Sequence, residues 1–132
     1  MRSAAVALVA LVLVGWGAPT ASATSAPPEV ADADGVVFTA NSSSVDPRPV
    51  PVESWSRVAN ERAVAVHFTS GTPACNGVHA TAQETADAVT VTLIGGSLPS
   101  VAGRMCIMLA VTGTLVVALS SPLGDRQVLS AV

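Results

Sequence analysis

Two cysteines, Cys75 and Cys106, have the clearest chemistry in this 132-residue chain. They are its only cysteines, and their spacing is far from the C-x-x-C arrangement that lowers the pKa of a redox thiol. In an oxidising compartment, a single pair of this kind forms a structural disulfide. We therefore predict a Cys75–Cys106 bridge, which stabilises a small domain by about 3–4 kcal/mol in the chain-entropy model.

His67 and His79 are the only imidazoles, and each falls on the more polar side of a segment with alternating hydrophobicity. On neighbouring strands the two rings could meet and, with Glu84 or Asp87, bind a metal or act in acid–base catalysis. The interval between the histidines fixes no ligand geometry, and no spacing specifies a third ligand. We therefore expect solvated histidines and predict neither a metal site nor a cofactor.

Nucleophilic catalysis has no recognisable motif in this chain. Serine is plentiful, but G-x-S-x-G is absent and no serine lies at a strand-to-helix elbow. Asp32 and Asp34 lie in a small, proline-bearing segment with too few apolar residues to fold. Asp125 and Arg126 are expected to form an exposed local ion pair that contributes little to stability. The sequence thus predicts a non-enzymatic protein without catalytic residues.

The elements that position these residues follow an N-terminal leader. A single arginine supplies a positive charge, Ala4–Val14 form an uncharged run, and Ala21-Ser22-Ala23 has the small residues that signal peptidase requires. We predict a signal peptide at residues 1–23, with cleavage between Ala23 and Thr24; cleavage after Ala26 is the alternative. The protein is therefore expected to be secreted and to act outside the cell, at the cell envelope.

Other interpretations of the leader fit less well. The apolar run is short for a membrane anchor, which needs about 20 residues, although an uncleaved anchor lengthened through Trp16 is a second interpretation. No cysteine lies near the cleavage site for lipoprotein acylation, and one arginine does not make a twin-arginine motif. We expect no stable membrane span in the mature chain. Hydropathy alone would also suggest a span in the uncharged stretch between Arg104 and Asp125, but its β-branched residues favour a buried hairpin.

The composition after the leader restricts the choice of partner. Residues 24–132 carry five Arg, no Lys and nine acidic residues, a formal net charge of −4. Nucleic acid is excluded as a partner because its binding needs clustered cations, and no polybasic segment is available for anionic lipid. Phe38, Trp55 and Phe68 offer little of the aromatic surface that carbohydrate sites and protein interfaces use. The partner is left open, either a protein or another envelope component.

Alternating hydrophobicity predicts a β domain at residues 52–132. A flexible, proline-rich spacer is expected before it, at residues 24–51, with an edge strand at Val36–Thr39. Met105–Val111 and Leu115–Leu119 are expected to pair as a hairpin through Thr112-Gly113-Thr114. Other strands are expected at residues 52–58, 64–69, 78–84, 89–93 and 127–129. These short strands indicate an all-β fold, a small antiparallel β-sandwich or barrel-like domain.

Four patterns between Val52 and Val132 resemble those of a group of uncharacterised small exported actinobacterial proteins with a PLGDR-type C-terminal motif. They are Cys75-x-Gly77-Val78-His79, Glu84-Thr85-x₃-Val89-Thr90-Val91-x-Leu93, Arg104-x-Cys106-Ile107 and Leu119-x₂-Pro122-Leu123-Gly124-Asp125-Arg126-x-Val128. The resemblance implies a secreted β domain with one disulfide. It transfers no catalytic residue.

The function that we predict is that of an exported non-enzymatic β domain, a binding or structural module at the cell envelope. Its expected contact surface is the loop Gly95–Gly103 or the polar face of one sheet, which comprises His79, Thr81, Gln83, Thr90 and Thr92. The alternative is a secreted protease inhibitor that presents a disulfide-pinned loop, Ser70–Asn76, to its target.

Overall fold

The computed structural model describes residues 24–31 and 34–132. The predicted signal peptide, including Ala23, lies outside the described residues, and Thr24 is the first of them. The described part contains one short 3₁₀ helix, Pro99–Val101, and the following strands: β1 (Val36–Val37), β2 (Val45–Val50), β3 (Ser54–Arg57), β4 (Ala63–Ser70), β5 (Asn76–Glu84), β6 (Ala88–Ser97), β7 (Val111–Ala118) and β8 (Gln127–Ser130).

The strands form two sheets that face each other. The first sheet has the order β1-β7-β4-β3, and the second has the order β2-β6-β5 with β8 beside β6. The predicted all-β fold is confirmed, as a small sandwich that is not closed into a barrel. It differs from a fully antiparallel arrangement at two edges, because β1 pairs with β7 and β8 pairs with β6 in parallel.

The core lies between β4 of the first sheet and β5 and β6 of the second. Every second residue of these strands is apolar and faces inward, as the alternation predicts. The fully buried side chains here include Val64, Val66, Phe68, Val78, Val89, Val91 and Leu93. Small β-branched side chains thus supply most of the inter-sheet packing, which agrees with the scarcity of aromatic residues in the sequence.

The predicted hairpin of residues 105–119 is wrong. Thr112-Gly113-Thr114 is not a turn but part of β7, which pairs with β4 along its whole length. Gly113 lies beneath two phenyl rings, and a Cβ atom there would come within 2.6 Å of the Phe68 ring and 2.8 Å of the Phe38 ring. The glycine therefore allows close ring packing, with the two ring centroids 5.4 Å apart.

Residues before β7 also differ from the prediction. Met105–Ala110 belong to no strand, so Cys106 lies in a loop rather than in a buried strand. The stretch between Arg104 and Asp125 therefore divides into an exposed loop, a strand and a turn. In the described part of the chain, no helix is long and apolar enough to cross a membrane.

The flexible spacer predicted at residues 24–51 is also wrong for its described residues, which belong to the sandwich. Ser25 exchanges two backbone hydrogen bonds with Ser130 in β8, and Val30 donates one to Trp55 in β3. Farther along, β2 pairs with β6 and the predicted edge strand forms as β1. The prediction from composition was wrong because backbone pairing with distant strands stabilises this segment despite its few apolar side chains.

The prolines of β2 fit its place at a sheet edge. β2 pairs on one side only, with β6. Pro47 and Pro49 have no amide hydrogen to donate, but at a sheet edge this interrupts no hydrogen-bond ladder in the middle of the sheet. Asp46 has a φ of 51°, and the register between β2 and β6 shifts beside it. This irregularity is a β-bulge at the edge of the second sheet.

The contact of Gly113 with the two rings gives a stability prediction. We expect Gly113→Ala to lower the free energy of unfolding by about 1–3 kcal/mol, because its methyl group must displace the Phe38 and Phe68 rings. Chemical denaturation monitored by circular dichroism measures the change. Thr112→Ala, at an exposed position in the same strand, is the matched control. Equal stability of the Gly113→Ala variant and the control would contradict this account of the glycine.

Candidate functional site

The predicted disulfide is present. Cys75 and Cys106 are bonded, with their Cα atoms 6.1 Å apart. Cys75 immediately precedes β5, and Leu98 donates a backbone hydrogen bond to its carbonyl oxygen. The bridge therefore fixes the loop around Cys106 to one end of the second sheet.

We call residues 103–110 the clipped loop. Its apolar side chains face solvent: Met105 and Met108 are 101% and 100% exposed, and Ile107 is 76% exposed. Cys106 is half-buried, since its sulfur is bonded to Cys75. The disulfide thus draws one side chain of the loop inward and leaves its neighbours pointing away from the protein.

A tight turn shapes the end of the clipped loop. The amide of Leu109 donates a hydrogen bond of 2.9 Å to the carbonyl oxygen of Ile107, which closes a three-residue turn around Met108. Leu109 is itself 54% exposed. Met108 therefore lies at the apex of a short turn whose two neighbours are also apolar.

A groove of about 440 Å³ runs beside the clipped loop. One wall is apolar and belongs to the loop, while the opposite side consists of small polar residues at the ends of β4, β5 and β6. Its lining residues are Thr69, Ser70, Gly71, Cys75, Asn76, Ser97, Cys106, Ile107, Met108, Leu109 and Ala110. None of these lining side chains titrates near neutral pH, because both cysteines are oxidised. The groove is suited to contact rather than to proton transfer.

The segment Ser70–Asn76 does not have the form expected of an inhibitory loop. The amides of Cys75 and Asn76 both donate to the carbonyl oxygen of Thr72, so the chain is folded into a compact turn. The side chain of Asn76 donates to the same carbonyl. The more exposed segment lies on the other side of the same disulfide, in the clipped loop.

The prediction that both histidines are solvated is wrong for His67, which is 2% exposed. Its Nε2 atom lies 2.7 Å from the Ser56 hydroxyl, and its Nδ1 atom lies 2.9 Å from the Thr114 hydroxyl. These hydrogen bonds join β3, β4 and β7 across the outer face of the first sheet. His67 therefore has a place in the packing of that sheet.

The two histidines do not meet. His79 lies on β5, in the second sheet, and alternation places it on the outer face there, opposite Ile94. The core of the sandwich separates it from His67, so the two cannot share a metal ion or a proton. Within residues 24–31 and 34–132, no group of three potential metal ligands lies together.

The predicted ion pair between Asp125 and Arg126 is wrong. Arg126 pairs instead with Glu84 at the end of β5, and its Nη2 atom lies 3.1 Å from Oε1 of Glu84. Both side chains are largely buried, 12% and 16% exposed. The Arg126 guanidinium also donates to four backbone carbonyl oxygens, those of Thr85, Ser121, Pro122 and Leu123. The C-terminal PLGDR pattern therefore forms a structural clamp on the turn before β8.

Glu84 is the acidic centre of this clamp. Its carboxylate accepts backbone hydrogen bonds from Ser120 at 2.7 Å and Ser121 at 3.2 Å. The Ser120 amide, followed by the Ser121 amide and Arg126, lowers the pKa of Glu84 from 4.5 to about 2, against an opposing effect of burial. Glu84 is thus committed to the fold and is not available as a metal ligand.

The expected polar face of the second sheet exists, with Thr81 and Gln83 exposed and His79, Thr90 and Thr92 half-buried. The loop Gly95–Gly103 contains the end of β6 and the 3₁₀ helix, and it leads directly into the clipped loop. The clipped loop itself was not predicted, because its uninterrupted apolar run was interpreted as a buried strand.

Comparisons with protein-family models, curated proteins and solved structures return no match for this chain.

The lowered pKa of Glu84 predicts a dependence of stability on pH. The ionised carboxylate stabilises the folded state above pH 4.5, and this contribution is lost as the pH falls from 4.5 towards 2, where the folded protein takes up the proton. Wild type should therefore exceed Glu84→Gln in free energy of unfolding above pH 4.5, with the difference shrinking below it. Denaturant titrations across this pH range measure the effect. A constant difference at all pH values would contradict it.

Proposed function

We propose that this chain is an exported, non-enzymatic β domain that acts at the cell envelope as a binding module, with the clipped loop as its contact surface. The observation that carries this proposal is the complete exposure of Met105 and Met108 on a loop that a disulfide fixes in place. Contiguous apolar side chains exposed on a soluble domain are typical of binding sites.

The clipped loop is a better candidate for the contact surface than the outer face of the second sheet. The outer face carries mainly threonine side chains, which are solvated at little cost. The loop instead exposes apolar side chains whose contact with water is unfavourable, so their burial against a partner provides a driving force. Methionine is also enriched at protein interfaces, because its flexible thioether adapts to irregular surfaces.

Export is supported by two features of different kinds. The N-terminal leader has the composition of a signal peptide, with cleavage proposed between Ala23 and Thr24. A disulfide is compatible with an oxidising, extracellular location. The resemblance to exported actinobacterial proteins belongs to the same proposal.

Capture of partners from envelope extracts tests the role of the loop. The full chain, produced through its own leader and recovered in oxidised form, is compared with a variant carrying Met105→Ser, Ile107→Ser and Met108→Ser. We expect the wild-type protein to retain envelope components that the variant loses. Val37→Ser with Val116→Ser, exposed apolar positions in the first sheet, is the matched control and should bind like wild type. Equal capture by all three proteins would refute the proposal.

Protease inhibition is the second candidate function. The specific observation in its favour is the tight turn at Met108, which presents an apolar side chain two residues after a disulfide-bonded cysteine. A loop held in one conformation binds with a smaller loss of entropy than a mobile one. In this proposal the inhibitory segment is the clipped loop rather than Ser70–Asn76.

Inhibition assays with serine proteases of different specificity test this candidate. We expect the oxidised protein to inhibit a protease with an apolar specificity pocket, since Met108 would occupy that pocket. Met108→Lys should weaken this inhibition and create inhibition of a protease that cleaves after basic residues. Val116→Ser is the control. If the oxidised wild-type protein does not inhibit the protease with the apolar specificity pocket, this function is excluded.

A further inference from the structure

The clipped loop is apolar around its whole tip. Met105 and Met108 are exposed as fully as in an extended chain, Ile107 is mostly exposed, and Leu109 is half-exposed. A protein cleft contacts a loop from a limited set of directions and leaves some side chains in water. A fluid hydrocarbon phase accepts apolar side chains from every direction, so the exposure pattern fits a lipid surface better than a rigid cleft.

The charges of the clipped loop also fit a lipid surface. Arg104 is exposed and directly precedes Met105, and residues 88–124 contain no acidic side chain. An arginine at the base of an apolar loop can contact lipid phosphate while its neighbours enter the acyl region. Asp46 and Arg48 line an adjoining groove at the same end of the sandwich, and the exposed Glu53 carboxylate accepts a hydrogen bond from Thr69 there. With Arg104, these side chains give this end of the domain no net charge.

We propose that the clipped loop inserts into the surface of a phospholipid membrane and makes this chain a peripheral membrane protein. The inference rests on the proposed function, because it assigns a partner to the same contact surface. Arg104 contacts lipid phosphate, and Met105, Ile107 and Met108 enter the outermost part of the acyl region. Because only one cation takes part, attraction is mainly apolar and depends weakly on salt.

The disulfide limits how deeply the loop inserts. Cys106 is tied to Cys75 at the start of β5, so the sheet ends follow the loop towards the lipid. These ends carry Thr69, Ser70 and Asn76, whose polar groups are costly to transfer into hydrocarbon. Insertion therefore stops at the interface, about 5–10 Å below the surface, as for other interfacial segments.

Vesicle flotation tests the proposal. The oxidised full chain, produced through its own leader, is mixed with vesicles of equal parts phosphatidylglycerol and phosphatidylethanolamine, and with vesicles of phosphatidylcholine alone. We expect binding to both kinds of vesicle, because the attraction is mainly apolar, and only a small change at high salt. Combined Met105→Ser, Ile107→Ser and Met108→Ser should reduce binding by more than about tenfold. Val116→Ser should bind like wild type.

A fluorescent reporter gives a second measurement that does not depend on loss of binding. In Met108→Trp, the added indole is expected to shift its emission to shorter wavelength when vesicles of either kind are added. In Val116→Trp, whose indole lies on the outer face of the first sheet, the emission should not change. Thermal unfolding of each variant establishes that it is folded.

The outcomes separate this inference from the function on which it rests. Loop-dependent flotation together with the emission shift supports membrane insertion. No flotation of the folded wild-type protein overturns the inference, while loop-dependent capture of an envelope protein or inhibition of a protease leaves the binding module intact. Failure of all three assays overturns both proposals. Flotation that the triple serine variant retains assigns lipid contact to another surface and also overturns the inference.

Discussion

The fold depends on the packing of its two sheets against each other, through one apolar cluster of buried side chains. Val64, Val66 and Phe68 of the first sheet and Val91 and Leu93 of the second belong to this cluster, and all five are completely buried. Most of these side chains are short and branched, which suits close packing between two sheets. The Phe38–Phe68 pair fills the remaining space above Gly113, where a larger residue would separate the rings from β7.

This core also explains how the clipped loop can stay exposed. An unrestrained apolar segment would tend to collapse onto the nearest apolar surface, because exposure to water is unfavourable. Here the sandwich is complete without the loop, and the bond from Cys106 to Cys75 fixes its base at a rigid strand end. In the proposed function, stability and recognition therefore depend on separate residues. The clamp around Arg126 and Glu84 belongs to the first group, and Met105 and Met108 belong to the second.

The sequence allowed the central strands to be predicted because apolar residues alternate with more polar ones along each of them, although both faces of β4 are buried. Alternation at residues 64–69, 78–84 and 89–93 therefore matched β4, β5 and β6. The disulfide was predictable because two cysteines allow one pairing. The clipped loop was not predictable, since an apolar run gives the same pattern whether its side chains face a core or a partner outside the chain.

Other errors arose where distant parts of the chain meet. The outward position of His67 suggested solvent, but Ser56 and Thr114 from neighbouring strands enclose its ring. Gly113 between two threonines is typical of a turn, yet its role depends on two aromatic rings far away in the sequence. The pairing of Ser25 with Ser130 joins residues that are far apart in the sequence, and no local sequence pattern predicts it. That pairing has a kinetic consequence: if the chain crosses a membrane from its N-terminus, Cys75 and Cys106 can meet while β8 is still to emerge. The second sheet is completed only once Ser130 has crossed, so oxidation can precede the final closure of the fold.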